Sequence, residues 1–234
     1  MTRPRGISPT TRQVIARAFE RLDYRRLATI YCYEGGDAFW KSKRGSCRRL
    51  GMVVGHALLK RLPAGGRSLY VGAGVAELPA VLVESLDLHR IVLPCNLRRS
   101  EVAVLNRACG ELPLRFHAMD AGRASGTFDH LWIVSVFNDP ERFPHVAALS
   151  YGRAVPLTFN PVRFVKERKI LQLLLNHCMA KLRLPGIVTT SVEEVNWIAD
   201  WCHRHRVRYR VERHQFRTAV VGDPICFMRI GGNS

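Results

Sequence analysis

The chain has no long apolar run. No stretch approaches the roughly 18 uninterrupted apolar residues that a membrane-spanning helix requires, and the first twelve residues lack the apolar core of a signal peptide. We therefore expect a soluble, cytoplasmic protein. The seven cysteines form no Cys-x-x-Cys pair, and several lie in apolar strand-like runs, which predicts reduced thiols that pack as small hydrophobic side chains.

Acidic residues are scarce. The chain has 19 Asp and Glu against 36 Lys and Arg, which gives a formal net charge of +17. A field of this sign attracts phosphates, nucleic acids and anionic substrates. Most of the cations are arginines spread along the chain, so the charge alone does not identify an RNA partner. With 234 residues, 47% of them hydrophobic, the chain fits one α/β domain with an N-terminal extension.

The most informative stretch covers residues 69–79, where an apolar strand runs into the turn Gly72-Ala73-Gly74 and then into a helix. Glycine permits a positive φ and lets a ligand approach the backbone, and the unpaired amides of a helix start face that ligand. The stretch therefore predicts a site for a nucleotide-like cofactor. The alternative is an ordinary strand-to-helix turn of an α/β protein.

The first third of the chain predicts helices over residues 11–30 and 46–62. The linker between them, residues 31–44, carries Tyr31, Tyr33 and Trp40 with a Gly-Gly pair and several cations. This composition suits a mobile lid over a ligand or a surface that stacks on bases. A surface loop whose aromatic side chains pack on the core is the alternative.

From residue 67 onward, strands alternate with helices, which predicts a doubly wound, mostly parallel sheet with helices on both faces. Two final strands lack a helix between them and must pair as an antiparallel C-terminal hairpin. Residues 1–66 are then an N-terminal helical extension or lid, and residues 67–234 a Rossmann-like domain. Ser191 followed by Glu194 predicts a capping box. The predicted strands are 68–71, 90–95, 114–117, 128–136, 186–190, 207–216 and 219–230, and the predicted helices are 75–86, 100–109, 162–182 and 192–206.

The order of elements, the Gly-x-Gly turn and the closing hairpin resemble the Rossmann-like (class I) S-adenosylmethionine-dependent methyltransferases over residues 67–230. The resemblance implies S-adenosylmethionine (SAM) as cofactor, with Gly72, Ala73 and Gly74 bordering its methionine and ribose parts. It also implies that Asp120 contacts the adenine amine. Ser135 ends the segment that resembles the family's fourth strand, which borders the transferred methyl group.

Two positions differ from the family pattern. Tyr70 stands where an acid is common two residues before the first glycine. Asn96 stands where the family has the acid that binds the ribose hydroxyls, and it can still form an uncharged hydrogen bond to a hydroxyl. A missing acid at this position also argues against a nicotinamide dinucleotide.

Candidate catalytic residues follow the predicted fourth strand. The segment Phe137-Asn138-Asp139-Pro140 partly resembles the Asn/Asp-Pro-Pro-aromatic motif of enzymes that methylate exocyclic amines, which implies that Asn138 or Asp139 accepts a hydrogen bond from a substrate amine. His145 or Glu141 is a candidate base. Asn-Asp-Pro is also strong turn chemistry, and a plain turn is the alternative. The candidate substrate-binding residues are Tyr31, Tyr33, Trp40 and Tyr151.

The sequence predicts no metal site, because Cys202, His203 and His205 lie on a predicted helix where near neighbours point in different directions. The leading hypothesis is a SAM-dependent methyltransferase that acts on a small molecule or RNA. One alternative is a nucleic-acid-binding protein on a degenerate methyltransferase fold. Another is a different group transfer from the same sulfonium.

Overall fold

The computed structural model of the chain describes residues 6–32, 35–150, 152, 155, 158–218 and 223–232. The chain divides into two compact units. The first consists of Met1–Ala121 with Phe216–Gly222, and the second of Gly122–Gln215 with Asp223–Ser234. The lid role of residues 1–66 and the cofactor domain of residues 67–234 stay predictions.

The first unit begins with three helices: α1 (Pro9–Arg21), α2 (Tyr24–Ile30) and α3 (Gly36–Leu59). Ser8 caps α1 by accepting the Thr11 N–H at 3.1 Å, and Asp23 caps α2 by accepting the Arg26 N–H at 3.0 Å. The prediction of one helix over residues 11–30 was therefore wrong, because Asp23 starts a new helix.

The predicted linker over residues 31–44 is mostly the beginning of α3, so the prediction of a loop there was wrong. Gly35 is the N-cap of α3 and adopts φ +100°, a left-handed conformation that glycine adopts without steric cost. The glycine pair thus starts a helix, whereas the sequence analysis placed it within a loop.

The rest of the first unit alternates strand and helix: β1 (Arg67–Val71), α4 (Leu78–Leu86), β2 (Ile91–Cys95) and α5 (Arg99–Cys109). β1 and β2 pair in parallel. The strand predicted over residues 114–117 is only a single bridge between Cys95 and His117. The His117 backbone makes both hydrogen bonds of this bridge, whereas the N–H and the carbonyl of Phe116 are bound by the side-chain amide of Asn106, at 2.8 and 2.9 Å.

In its described residues, the second unit has four strands and three α-helices. β4 pairs in parallel with β3 and antiparallel with β6, and β5 pairs antiparallel with β6. The prediction of an antiparallel C-terminal pair is therefore confirmed. The elements are β3 (Phe128–Ile133), α6 (Pro144–Ser150), α7 (Pro161–Met179), β4 (Leu182–Ser191), α8 (Val195–Arg204), β5 (Tyr209–Val211) and β6 (Ile225–Ile230).

The capping box predicted at Ser191 does not form, because Ser191 makes no side-chain cap hydrogen bond. Its hydroxyl donates to Glu194 Oε2 at 3.0 Å instead. Between β3 and α7 the chain forms the short helix α6, which is absent from the elements predicted from the sequence.

The chain has an α/β fold with a mixed, mostly parallel sheet of six strands and helices on both faces, as the strand and helix alternation predicted. In sheet order the strands run β2-β1 in the first unit and β3-β4-β6-β5 in the second. All seven cysteines are free, and all but Cys32 are buried. Within the described ranges, no helix is both long and apolar enough to span a membrane.

Candidate functional site

The glycine turn follows β1 directly. Gly72 adopts φ +75°, and the Ala73 N–H donates to the carbonyl of Cys95 at 2.9 Å, which ties the turn to the end of β2. The Gly74 N–H donates to Glu77 Oε2 at 2.9 Å. Helix α4 begins at Leu78, about one turn later than predicted. The segment between β1 and α4 is thus a defined loop, which we call the glycine loop (residues 72–77).

Gly74 lies against a buried carboxylate. A Cβ atom at this position would lie 2.7 Å from Glu101 Oε1, closer than real contacts allow. Glu101 is on α5 and only 1% exposed; it accepts hydrogen bonds from the Tyr31 hydroxyl at 2.8 Å and from Asn96 Nδ2 at 3.1 Å. Burial raises the pKa of Glu101. Sequence reasoning missed this residue, because an acid in the first turn of a helix is ordinary.

Asn96 holds the glycine loop in place. Its Nδ2 also donates to the Ala73 carbonyl at 2.9 Å, and its Oδ1 accepts the Arg98 N–H at 2.8 Å. The side-chain amide therefore already has protein partners on both its nitrogen and its oxygen. Asn96 follows β2 and contacts the glycine loop, as expected from its place in the sequence. Its hydrogen bond to a ribose hydroxyl of the cofactor stays a prediction.

Asp120 belongs to the same part of the first unit. The Asn96 N–H donates to the carbonyl of His117 at 2.9 Å, which brings the segment that carries Asp120 to the end of β2. Burial raises the pKa of Cys95 to about 12, and the charge of Asp120 adds to this effect. Gly72, Gly74, Asn96 and Asp120 therefore gather where β1 and β2 end, and a contact between Asp120 and adenine stays a prediction.

Tyr70 is part of a buried structural network. Its hydroxyl donates to Glu84 Oε1 at 2.5 Å, and Glu84 is paired with the Arg90 guanidinium at 3.1 Å. Burial raises the pKa of Tyr70 well above its ordinary value. The side chain that replaces the family's acid thus points into the core between β1 and α4.

Aromatic side chains of α2 and α3 form a cluster in the first unit. The ring of Tyr31 stacks on Phe39 at 5.7 Å and meets Trp40 edge-on at 5.1 Å, and Tyr24 lies 6.1 Å from Trp40. Trp40 is buried, and its Nε1 has no hydrogen-bond partner among the described residues. Tyr33 lies outside the described residues. Substrate binding by Tyr31, Tyr33 and Trp40 stays a prediction.

In the second unit, a buried glutamate holds the loop that follows β3. The backbone N–H of Ser135 donates to Glu194 Oε2 at 2.9 Å, and those of Val136 and Phe137 donate to Oε1 at 2.6 Å each. Ser135 adopts φ +55°, which turns these three amides toward one carboxylate. Burial raises the pKa of Glu194 to about 7. The sequence analysis missed this role as well.

Asn138 differs from the other candidates in this loop. It is only 1% exposed, and neither Oδ1 nor Nδ2 has a hydrogen-bond partner in the described part of the chain. Asp139 Oδ1 accepts the Glu141 N–H at 2.9 Å, as in an ordinary turn. His145 Nδ1 accepts the Asn160 N–H at 3.3 Å. The catalytic roles of all three stay predictions. Among these three, Asn138 is the residue whose buried polar atoms lack a partner in the described part of the chain.

Two sequence predictions remain, Tyr151 as a substrate-binding residue and the absence of a metal site. Tyr151 lies outside the described residues. Within the described ranges, no three His, Cys, Asp or Glu side chains are placed to hold a metal ion.

Comparisons with known proteins identify the fold of the chain. No protein-family model matches the sequence, and no curated protein matches it. Magnesium protoporphyrin IX methyltransferase from Synechocystis PCC 6803, solved with bound SAM, is 13% identical, with 93% of this chain and 96% of that chain covered and a TM-score of 0.55. A methyltransferase from Pyrococcus furiosus is 16% identical over 75% of this chain and 80% of that one, with a TM-score of 0.48. The chain therefore has the Rossmann-like fold of the SAM-dependent methyltransferases.

Proposed function

We propose that this protein is a SAM-dependent methyltransferase that acts on a small molecule or on RNA. The observation that carries the proposal is the glycine loop at the end of β1, backed by the buried carboxylate of Glu101. The end of a parallel strand is the place where α/β proteins bind nucleotide-like ligands. The likeness of the fold to a methyltransferase adds support.

The residues around the loop fit such a cofactor. Gly72 takes a conformation that suits glycine, and Gly74 leaves no room for a side chain. The carboxylates of Glu101 and Asp120 would accept hydrogen bonds from hydroxyl and amine groups of an adenosine moiety. When bound, SAM supplies an electrophilic methyl group on a positively charged sulfur.

Asn138 would orient the substrate. Its Oδ1 is a buried acceptor without a donor among the described residues, so it would accept a hydrogen bond from a substrate amine and direct the nitrogen lone pair. The loop that carries it is held by three hydrogen bonds from consecutive amides to Glu194. The net charge of +17 suits a substrate with phosphate or carboxylate groups.

Calorimetry with S-adenosylhomocysteine tests the proposal. We expect micromolar binding to the wild-type protein and at least about tenfold weaker binding to Gly74→Ala, whose methyl group would displace Glu101 from the loop. Gly232→Ala is the matched control, because a Cβ there meets nothing within 4 Å. Thermal unfolding of both variants separates loss of the site from loss of the fold.

The competing hypothesis predicts a different result. A nucleic-acid-binding protein on a degenerate fold would give no heat with S-adenosylhomocysteine and would bind RNA with a steep dependence on salt concentration. That pair of results would reject the methyltransferase proposal.

A further inference from the structure

The carboxylate of Glu101, beside the glycine loop, already accepts a hydrogen bond from another side chain of the protein. Its Oε1, the atom closest to the Cβ position of Gly74, accepts the hydroxyl hydrogen of Tyr31 at 2.8 Å. Tyr31 is the C-cap residue of α2, 70 residues away in sequence. A distant helix therefore delivers one hydroxyl group to a buried carboxylate beside the loop.

The other partners of Glu101 belong to the loop and its support. Asn96 Nδ2 donates to Oε2, and the backbone N–H of Val75 also donates to the carboxylate. These two partners are fixed by the fold around β1 and β2. The Tyr31 hydroxyl is the partner that comes from outside this region, and it is the donor whose replacement would leave the loop unchanged.

A phenol and a sugar hydroxyl each offer one O–H donor to a carboxylate. We propose that Glu101 is the acceptor for a ribose hydroxyl of the adenosyl ligand, and that Tyr31 is an internal substitute for this hydroxyl which the ligand displaces. The inference rests on the proposed function. It names Glu101 as the residue that binds a ribose hydroxyl in place of Asn96. It also assigns to the N-terminal helices the role of covering the loop until the ligand arrives.

The position of Tyr31 supports displacement as one unit with its neighbours. Its ring stacks on Phe39 with an interplanar angle of 4° and contacts Trp40 edge-on, and the Arg98 guanidinium lies 5.2 Å from the ring centre. The ring is therefore held by aromatic and cation–π contacts, while one hydrogen bond links it to Glu101. When a ligand hydroxyl replaces that bond, the carboxylate keeps its full set of donors.

The test compares two tyrosines of the same cluster. Tyr31→Phe removes the hydroxyl on Glu101, whereas Tyr24→Phe removes one that donates to the Phe19 carbonyl at 2.9 Å. By calorimetry, we expect S-adenosylhomocysteine to bind Tyr31→Phe about tenfold more tightly than the wild type, because the internal competitor for a charged acceptor is gone. Tyr24→Phe should keep the wild-type affinity.

Adenosine and 2′,3′-dideoxyadenosine identify the ligand group involved. Glu101→Gln should bind adenosine at least about tenfold more weakly than the wild type, because the amide offers a single acceptor oxygen. Its affinity for the dideoxy compound should equal that of the wild type. A Tyr31→Phe variant that gains affinity for both compounds equally would overturn the proposal, since the tyrosine would then act as a steric cover alone.

The two proposals fail in different ways. If the wild type binds S-adenosylhomocysteine and Tyr31→Phe binds it no better, the substitute role of Tyr31 is wrong and the proposed function stands. If none of the four proteins binds S-adenosylhomocysteine, both proposals are wrong.

Discussion

The unsatisfied amide of Asn138 leads to a prediction about stability. A buried polar group without a partner costs about 1–3 kcal/mol relative to one that is hydrogen-bonded. Asn138 has two such atoms in a side chain that is 1% exposed. We therefore expect Asn138→Leu, which keeps the branching of the side chain and removes both polar atoms, to leave the protein without ligand more stable than the wild type.

Asn106 is the matched control, because both the nitrogen and the oxygen of its amide are hydrogen-bonded. Its Nδ2 donates to the Phe116 carbonyl at 2.9 Å, and its Oδ1 accepts the Phe116 N–H at 2.8 Å. Asn106→Leu removes both bonds and leaves two backbone groups without their partner. The extra volume of leucine is the same in both variants, so their difference reports on the hydrogen bonds.

The size of this difference follows from the two environments. Repacking a leucine costs about 1–2 kcal/mol at either site. Relief of two unsatisfied atoms should leave Asn138→Leu about 1 kcal/mol more stable than the wild type, whereas Asn106→Leu should lose about 3 kcal/mol. The gap of about 4 kcal/mol corresponds to about 8–16 °C in Tm for a chain of this size.

Urea unfolding and thermal scans of the three proteins measure this gap. If Asn138→Leu is destabilised as much as Asn106→Leu, the amide of Asn138 has a partner in the folded protein and the reasoning is refuted. The same variant should lose at least about a hundredfold in kcat/KM for methyl transfer while it keeps its affinity for S-adenosylhomocysteine. A variant that gains stability and keeps its activity would remove Asn138 from the substrate site.

Two further predictions concern buried glutamates. Burial raises the pKa of Glu194 from 4.5 to about 7, so the folded state holds a proton that the unfolded chain loses between these pH values, and we expect the free energy of unfolding to fall by about 3 kcal/mol as pH rises through that window. Urea titrations across this pH range should show that the free energy of unfolding depends less on pH in Glu194→Gln than in the wild type. A wild-type free energy that does not change with pH would contradict the prediction. Glu84→Ala should cost about 3–5 kcal/mol in urea unfolding, because it leaves the buried Arg90 guanidinium without its carboxylate. The exposed ion pair between Asp200 and Arg204 provides the control, and Asp200→Ala should change the free energy of unfolding by less than about 1 kcal/mol.

The sheet was the most predictable part of the fold. The second strand was predicted at residues 90–95 and is Ile91–Cys95, and the helix after it was predicted at residues 100–109 and is Arg99–Cys109. Apolar runs of strand length and a helical apolar period carry this information directly. The antiparallel ending followed from chain connectivity alone, because two strands without a crossover cannot be parallel.

The errors arose where a side chain or an unusual backbone conformation replaced the expected pattern. The segment predicted as a strand at residues 114–117 pairs with β2 at His117, and the backbone of the neighbouring Phe116 is bound by the side-chain amide of Asn106. Gly35 in a left-handed conformation starts α3 about ten residues before its predicted beginning. Such local competition depends on three-dimensional neighbours, which a single sequence does not display.

The site shows the same division. Positions at strand ends were predictable, since the carboxyl ends of parallel strands meet at one edge, and the structure places Gly72, Asn96 and Asp120 at the ends of β1 and β2. The partners of these residues were not predictable. Asn96 was considered as a ligand residue, yet its amide is used to hold Ala73 and Glu101.

Glu101 and Glu194 explain why the partners escaped detection. Each lies at the start of a helix that follows a strand, where an acid ordinarily faces solvent and interacts with the helix dipole. Each is instead at most 1% exposed and accepts a hydrogen bond from a loop that follows another strand, Glu101 from the Val75 N–H after β1 and Glu194 from the Ser135 N–H after β3. A carboxylate suits this task because its two oxygens offer more acceptor sites than the single oxygen of an amide side chain. In a chain with only 19 acidic residues, the burial of these two fixes the glycine loop and the loop of Asn138 before any ligand binds. Loops fixed in this way lose little conformational entropy on binding, so Glu101 and Glu194 should contribute to ligand affinity through preorganisation as well as through contact.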